Sequence, residues 1–184
     1  MPIHKVAAAK GESGFTLIDL LFTASLICTL CTMALPSLYR ARGAAQSASA
    51  ISTLRVVNSA QISFAVACGS GFYSPDLPTL GLAPPGTPTA FLPAELSSGA
   101  SFLKQGYTFA MTGTPVTGAP PTCNGRAVSY TSPGYSATAD PLDAIGNPHF
   151  YGTNADGTIY QHASTFVGVM PEGGPPPVGI PIKQ

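Results

Sequence analysis

The run from Phe15 to Leu35, FTLIDLLFTASLICTLCTMAL, holds 21 residues, no Lys or Arg, and a single acid, Asp19. An apolar helix of ~20 residues spans the hydrocarbon core of a bilayer. Any fold for this chain must therefore keep a segment of that length out of water. The acid sharpens the constraint. A carboxylate at the centre of a membrane helix is disfavoured by roughly 2.5–3.5 kcal/mol, so an acid inside such a run is expected to have a partner.

A short polar leader, Met1 to Gly14, precedes the run and stands apart from the fold. An ordinary secretory signal is one reading of it: Ala34, with Thr32 two positions before, offers a cleavage site, and Lys5 and Lys10 a basic n-region. Against it, Glu12 and Asp19 flank the start of the run, and the run exceeds the 7–15 residues of an ordinary signal core. Lys5 and Lys10 are balanced by Arg40 and Arg42, so charge alone sets no orientation.

Gly14-Phe15-Thr16-Leu17-Ile18-Asp19-Leu20, with Lys10 and Glu12 upstream, resembles the processing motif of the type IV pilin and type II secretion pseudopilin superfamily. The likeness is close over about 25 residues and loose over the helix that follows. Pro36, the 22nd residue counted from Phe15, also falls where many members carry a proline. The resemblance implies that a membrane peptidase cuts after Gly14 and methylates the new terminal amine of Phe15. It further implies that the leader faces the cytoplasm and that the chain rests in a bacterial inner membrane before entering a surface or periplasmic filament. The family's usual acid is Glu, one methylene longer than Asp19.

Charged residues make up 9% of the chain against roughly 25% in an ordinary soluble domain, while Gly (20) and Pro (19) are abundant. That suits one anchor and one small, loop-rich head. The net charge is zero, which offers nothing to a nucleic acid. Within the run, Ala24, Ser25, Thr29, Thr32 and Ala34 permit close helix approach. Cys28 and Cys31, three apart on a lipid-facing helix, read as small apolar residues rather than a metal pair. Pro36 is expected to kink or loosen the helix.

Helical spacing continues through Ile51, Leu54, Val57, Gln61, Phe64 and Cys68, with Arg55, Asn58 and Ser59 off that stripe, until Gly69-Ser70-Gly71. One helix of about 50 residues is expected, its second half packed on the head. The segment 72–100 is too rich in Pro for regular structure and reads as a loop. Strands are expected at 107–111, 127–130, 134–139, 149–153 and 158–162. Asn154-Ala155-Asp156-Gly157 marks a hairpin between the last two. The Pro-rich tail 171–184 cannot join a central strand and reads as an extended or mobile arm.

The expected fold is thus α+β and pilin-like: a long N-terminal helix, half membrane and half amphipathic, packed on a small antiparallel sheet of three to five strands. Its parts are a leader (1–14), a transmembrane or filament-core helix (15–38), an amphipathic half (39–68), a globular head (69–170) and a tail (171–184). Cys68 and Cys123 both fall in the exported part, and an oxidising compartment makes a disulfide between them the expected state. Asp140-Pro141 through Gly146-Asn147-Pro148 distantly resembles a stretch of secretion pseudopilins, some of which bind calcium. On that resemblance Asp140, Asp143 and Asp156 are weak calcium candidates.

No Gly-rich phosphate loop, HExxH or GxSxG occurs, so no catalytic residue, metal or cofactor is assigned and the chain reads as no enzyme. His149 and His162, placed across the last hairpin, read as polar residues at a sheet end. Phe15, Phe22, Tyr39 and Phe64 read as packing. The expected role is assembly: the amine of Phe15 on an incoming chain meets the Asp19 carboxylate of one already in place, with Pro36 shaping the helix. The implied partners are other copies or related pilins, the prepilin peptidase and N-methyltransferase, and an inner-membrane assembly platform. A pilin, a secretion pseudopilin and a membrane-tethered, non-polymerising binding module all remain open on sequence.

Overall fold

The computed structural model describes residues 15–182, and the leader with its Gly14 cleavage position lies outside them. The chain divides into two units, 1–40 and 41–184. Helix α1, Leu17–Ala67, contributes 51 residues and includes Pro36 without ending there.

In the first unit every described side chain is exposed. Phe15, Leu17, Phe22, Leu30 and Met33 are among the large apolar groups with no protein cover. Four hydroxyls in this stretch are turned inward on their own helix. Thr23 donates to the Leu20 carbonyl at 3.0 Å, Thr29 to Leu26 at 2.8 Å, Thr32 to Thr29 at 2.7 Å and Ser37 to Ala34 at 2.8 Å. Each donor is therefore satisfied without water, the condition that a hydrocarbon environment imposes.

The second unit packs the C-terminal part of α1 on a six-stranded antiparallel sheet in sequential order. Its strands are β1 (Ser101–Lys104), β2 (Tyr107–Thr112), β3 (Ser136–Pro141), β4 (Phe150–Asn154), β5 (Ile159–His162) and β6 (Ile180–Pro181). Alternation sends Tyr107, Phe109 and Met111 of β2 inward. They meet Ala50, Leu54, Val57 and Phe64 of α1 in one core, with Ala137, Ala139, Tyr151 and Ile159 from the neighbouring strands. Phe102 stacks on Phe109 with ring centres 4.8 Å apart.

The helix ends as Gly69-Ser70-Gly71 predicts. Gly69 N–H returns to the Phe64 carbonyl at 2.8 Å and Gly71 N–H to Ala65 at 2.9 Å. A side chain at Gly69 would strike the Phe72 carbonyl at 2.1 Å, and Gly71 sits at φ +92°, so each glycine is required for a different reason. Cys68 and Cys123, expected to pair, are joined in a disulfide that ties this helix end to the long β2–β3 connection.

Four expectations need correction. The segment 127–130 is not a strand: Ser129 has φ 62° and its N–H bonds to the Ala119 carbonyl at 2.8 Å, while β2 pairs directly with β3 and leaves no place between them. A strand not expected, β1, joins β2 through Gln105-Gly106, both at positive φ, the geometry of the tightest hairpin turns. The Pro-rich segment contains two single-turn helices, α2 (Leu77–Leu80) and α3 (Ala94–Ser97). Pro78 lies in the first turn of one and Pro93 caps the other, where a missing amide proton costs nothing. The tail is also no free arm. Ile180 and Pro181 pair with Gln161 and Tyr160 as an edge strand, the one sheet position that tolerates proline.

Candidate functional site

Two of the residues singled out by sequence, Phe15 and Asp19, lie at the start of α1. Thr16 Oγ1 donates to Asp19 Oδ2 at 2.5 Å, and the same carboxylate oxygen accepts from the Thr16 backbone N–H at 3.3 Å. In return Asp19 N–H approaches Thr16 Oγ1 at 3.3 Å. Thr16 and Asp19 thus form a reciprocal capping box, with Asp in the place usually taken by Glu or Gln. Sequence reasoning gave Asp19 an intermolecular partner or none. The T-x-x-D spacing carried the signal for this local one. The cap satisfies two helix-start amides and holds the carboxylate against Thr16, next to the exposed Phe15.

Pro36 leaves the Thr32 carbonyl without its usual amide donor. Cys28 and Cys31 are free and exposed. Both belong to the apolar surface of the first unit.

The three aspartates considered for calcium do not converge. Asp140 Oδ2 accepts from Thr165 Oγ1 at 2.6 Å, and burial of the carboxyl raises its pKa against the lowering effect of that bond. Asp143 Oδ1 accepts from the N–H groups of Ile145 (3.1 Å) and Gly146 (2.9 Å), closing its own turn. Asp156 Oδ2 accepts from Gly174 N–H at 2.8 Å and fastens the tail. Among the described residues no group of three or more His, Cys, Asp or Glu side chains is placed to hold a metal.

The two histidines do not face each other. Phe150 is the register partner of His162, so His149 falls on the alternate side. His149 Nδ1 lies 2.8 Å from Gln161 Nε2, and His162 Nδ1 accepts from Ser164 N–H at 3.2 Å. Both residues border an open cleft of about 660 Å³ at the sheet end, with Pro148, Gln161, Ile180 and Ile182.

The buried polar residues work as structure. Asn58, placed off the helical stripe by sequence, lies in the core. Its Nδ2 donates to Thr153 Oγ1 (2.9 Å) and the Gly157 carbonyl (3.2 Å), and its Oδ1 accepts from the Tyr135 hydroxyl at 2.9 Å. Burial, with the nearby Tyr73 adding to it, raises the Tyr135 pKa well above the usual phenol range, so this hydroxyl keeps its proton as a fixed donor. Gln61 holds Ser74 by both of its backbone groups, donating at 2.8 Å and accepting at 2.9 Å. Around α2, Asp76 accepts from Thr79 N–H at 2.8 Å and from the Tyr130 hydroxyl, while Arg126 lies over the Tyr130 ring. These contacts fasten the β2–β3 connection to the head.

No family model, curated protein or solved structure matches this chain.

Proposed function

We propose that this protein is a structural subunit of a type IV pilus-like filament, cut after Gly14 by a prepilin peptidase, methylated at Phe15 and assembled through packing of its N-terminal helix. The observation that carries the reading is the bare apolar surface of the first unit. α1 contains a window long and apolar enough to cross a membrane, and none of that window is covered by protein. The hydroxyls of Thr23, Thr29, Thr32 and Ser37 are satisfied internally, which suits the surface both to lipid and to neighbouring helices. A surface that passes from lipid to like helices without changing its chemistry is what a membrane-stored filament subunit needs. Repeating one non-closing helix contact then gives a filament.

Asp19 supplies register. Once the leader is removed, the Phe15 amine has an ordinary pKa of roughly 7.7–8.0 and is largely protonated near neutral pH. The cap holds the Asp19 carboxylate at the helix start, where the amine of a neighbouring copy can reach it and neutralise both charges in an apolar setting. The partners are other copies or related pilins, the processing enzyme and the inner-membrane platform that moves subunits out of the bilayer.

Asp19→Asn tests the reading, because the amide keeps an acceptor oxygen for the Thr16 cap and loses only the charge. The variant should be cut and inserted yet be excluded from filaments by ~100-fold or more, as leaving one charge of a buried pair alone costs ~3–5 kcal/mol. Asp19→Ala should behave likewise. Wild-type incorporation of Asp19→Asn would remove the charge-pairing mechanism and leave the cap as the residue's whole role.

A further inference from the structure

The second unit presents an apolar tip at the end where the chain enters it. The β3–β4 connection exposes Leu142 (65%) and Ile145 (97%), and the same end of β1, on the far side of β2, exposes Leu103 (63%). The connection is held firmly. Asn147, 5% exposed, places its Nδ2, which has two N–H donors, within hydrogen-bonding distance of the Gly43 carbonyl (3.2 Å), Ser47 Oγ (3.1 Å) and the Tyr107 hydroxyl (3.0 Å), and its Oδ1 accepts from Ser47 Oγ at 3.3 Å. Leu142 N–H bonds to the Gly106 carbonyl at 2.9 Å. Asp143 turns its carboxylate back onto the loop's own amides, which leaves the Ile145 side chain foremost. A pinned loop that offers Ile and Leu to water leaves the burial of both side chains unused.

Chain connectivity identifies what lies nearby. The apolar run gives way to Tyr39 and Arg40 after Leu38, and Gly43, against which this loop packs, is five residues further on. Five residues reach at most ~18 Å fully extended and ~7.5 Å as helix. The headgroup layers add only about 5–7 Å to each side of the ~30 Å hydrocarbon core. Whatever the angle between the two units, the loop is therefore near the bilayer surface when the run is inserted. Arg42 is exposed beside it, and Lys104 closes β1 at the same end. Cations flanking an apolar tip are the pattern that favours anionic headgroups.

We propose that Leu142 and Ile145, with Leu103 at their side, dock this end of the head onto a phospholipid surface, with Arg42 and Lys104 meeting lipid phosphates. The contact would fix the stored subunit against the membrane before it is extracted. The inference rests on the membrane-anchored reading above.

The chain contains no Trp, so a single introduced indole reports its own surroundings. The full chain carrying Ile145→Trp would be reconstituted in phosphatidylethanolamine–phosphatidylglycerol vesicles with brominated acyl chains, alongside a chain carrying Val128→Trp. Val128 is 63% exposed in the connection that Cys123 ties to Cys68, which is ~37 Å along the helix from Gly43. Emission at position 145 should be quenched about twofold or more, as for a side chain seated ~5–10 Å into the headgroup–acyl boundary, and emission at position 128 should not change. Unquenched emission at 145 from a chain that has partitioned into the vesicles would overturn the docking and leave the anchor standing. If that indole became shielded only on filament assembly, the loop would be a subunit contact instead. Failure to partition at all would remove the anchor and the docking together.

Discussion

Asn58 shows how one side chain determines what the rest of the head can do. It sits on α1 between the Tyr135 hydroxyl and the β4–β5 hairpin; its bonds to Thr153 and Tyr135 are buried and that to the Gly157 carbonyl is partly so. Asn58→Ala strands the buried Tyr135 phenol donor and leaves the partly buried Gly157 carbonyl without this partner. Buried unsatisfied groups cost roughly 1–3 kcal/mol each, so a loss of ~2–4 kcal/mol is expected in denaturant titration of the full chain in detergent. Asp140 offers the opposite case. Burial raises its carboxyl pKa, and its Oδ1 has no hydrogen-bond partner. The folded state therefore binds this proton more tightly than the unfolded chain. Its contribution is fully present below 3.8 and is lost as pH rises through the raised folded value. Asp140→Asn should flatten the pH dependence of the melting temperature across that window and leave Tm at neutral pH equal or higher. A slope identical to wild type would show that Asp140 does not titrate in the window. Neither role was readable beforehand. Helical spacing put Asn58 beside solvent-facing Arg55 and Ser59, and only the sheet's position on α1 turns that edge of the helix inward.

At the scale of elements, the disulfide and the hairpins carry different lessons. Cys68–Cys123 closes a separation of 55 residues, for which the chain-entropy model gives ~4 kcal/mol. Cys68→Ser with Cys123→Ser should lower the unfolding free energy by roughly that amount or less. The same midpoint with and without reductant in the wild type would show that the bridge does not stabilise the head. The long apolar run, the Ile51–Phe64 face and the Asn154–Gly157 hairpin were all legible, because each is a local pattern whose chemistry matches its environment. β1 was hidden by brevity: SFLK alone has no period, and its Gln105-Gly106 turn lacks the Asn or Asp that usually marks such a loop. Segment 127–130 looked like a strand because Val128 and Tyr130 alternate. It is a tether, with the Tyr130 hydroxyl bound to Asp76 and no place between the directly paired β2 and β3 to receive it. The Thr16–Asp19 cap was spelled out in the sequence as T-x-x-D, a partner nearer than any the acid would find on a second helix.

In the whole molecule, a helix long and apolar enough to cross a membrane leads into a head held by one disulfide and an ordered tail. The Asp19 carboxylate stands at the helix start, and a pinned apolar loop stands where the head begins. The central claim is that this chain is processed at Gly14 and assembled through the helix beginning at Phe15. Intact mass and N-terminal sequence, taken on protein sheared from cell surfaces and on protein left in membranes, test it most directly. The account predicts a chain that begins at methylated Phe15 and is present in the sheared filament fraction. A chain beginning at Leu35 would mean an ordinary signal peptide cut after Ala34, with the apolar helix discarded and the filament account contradicted.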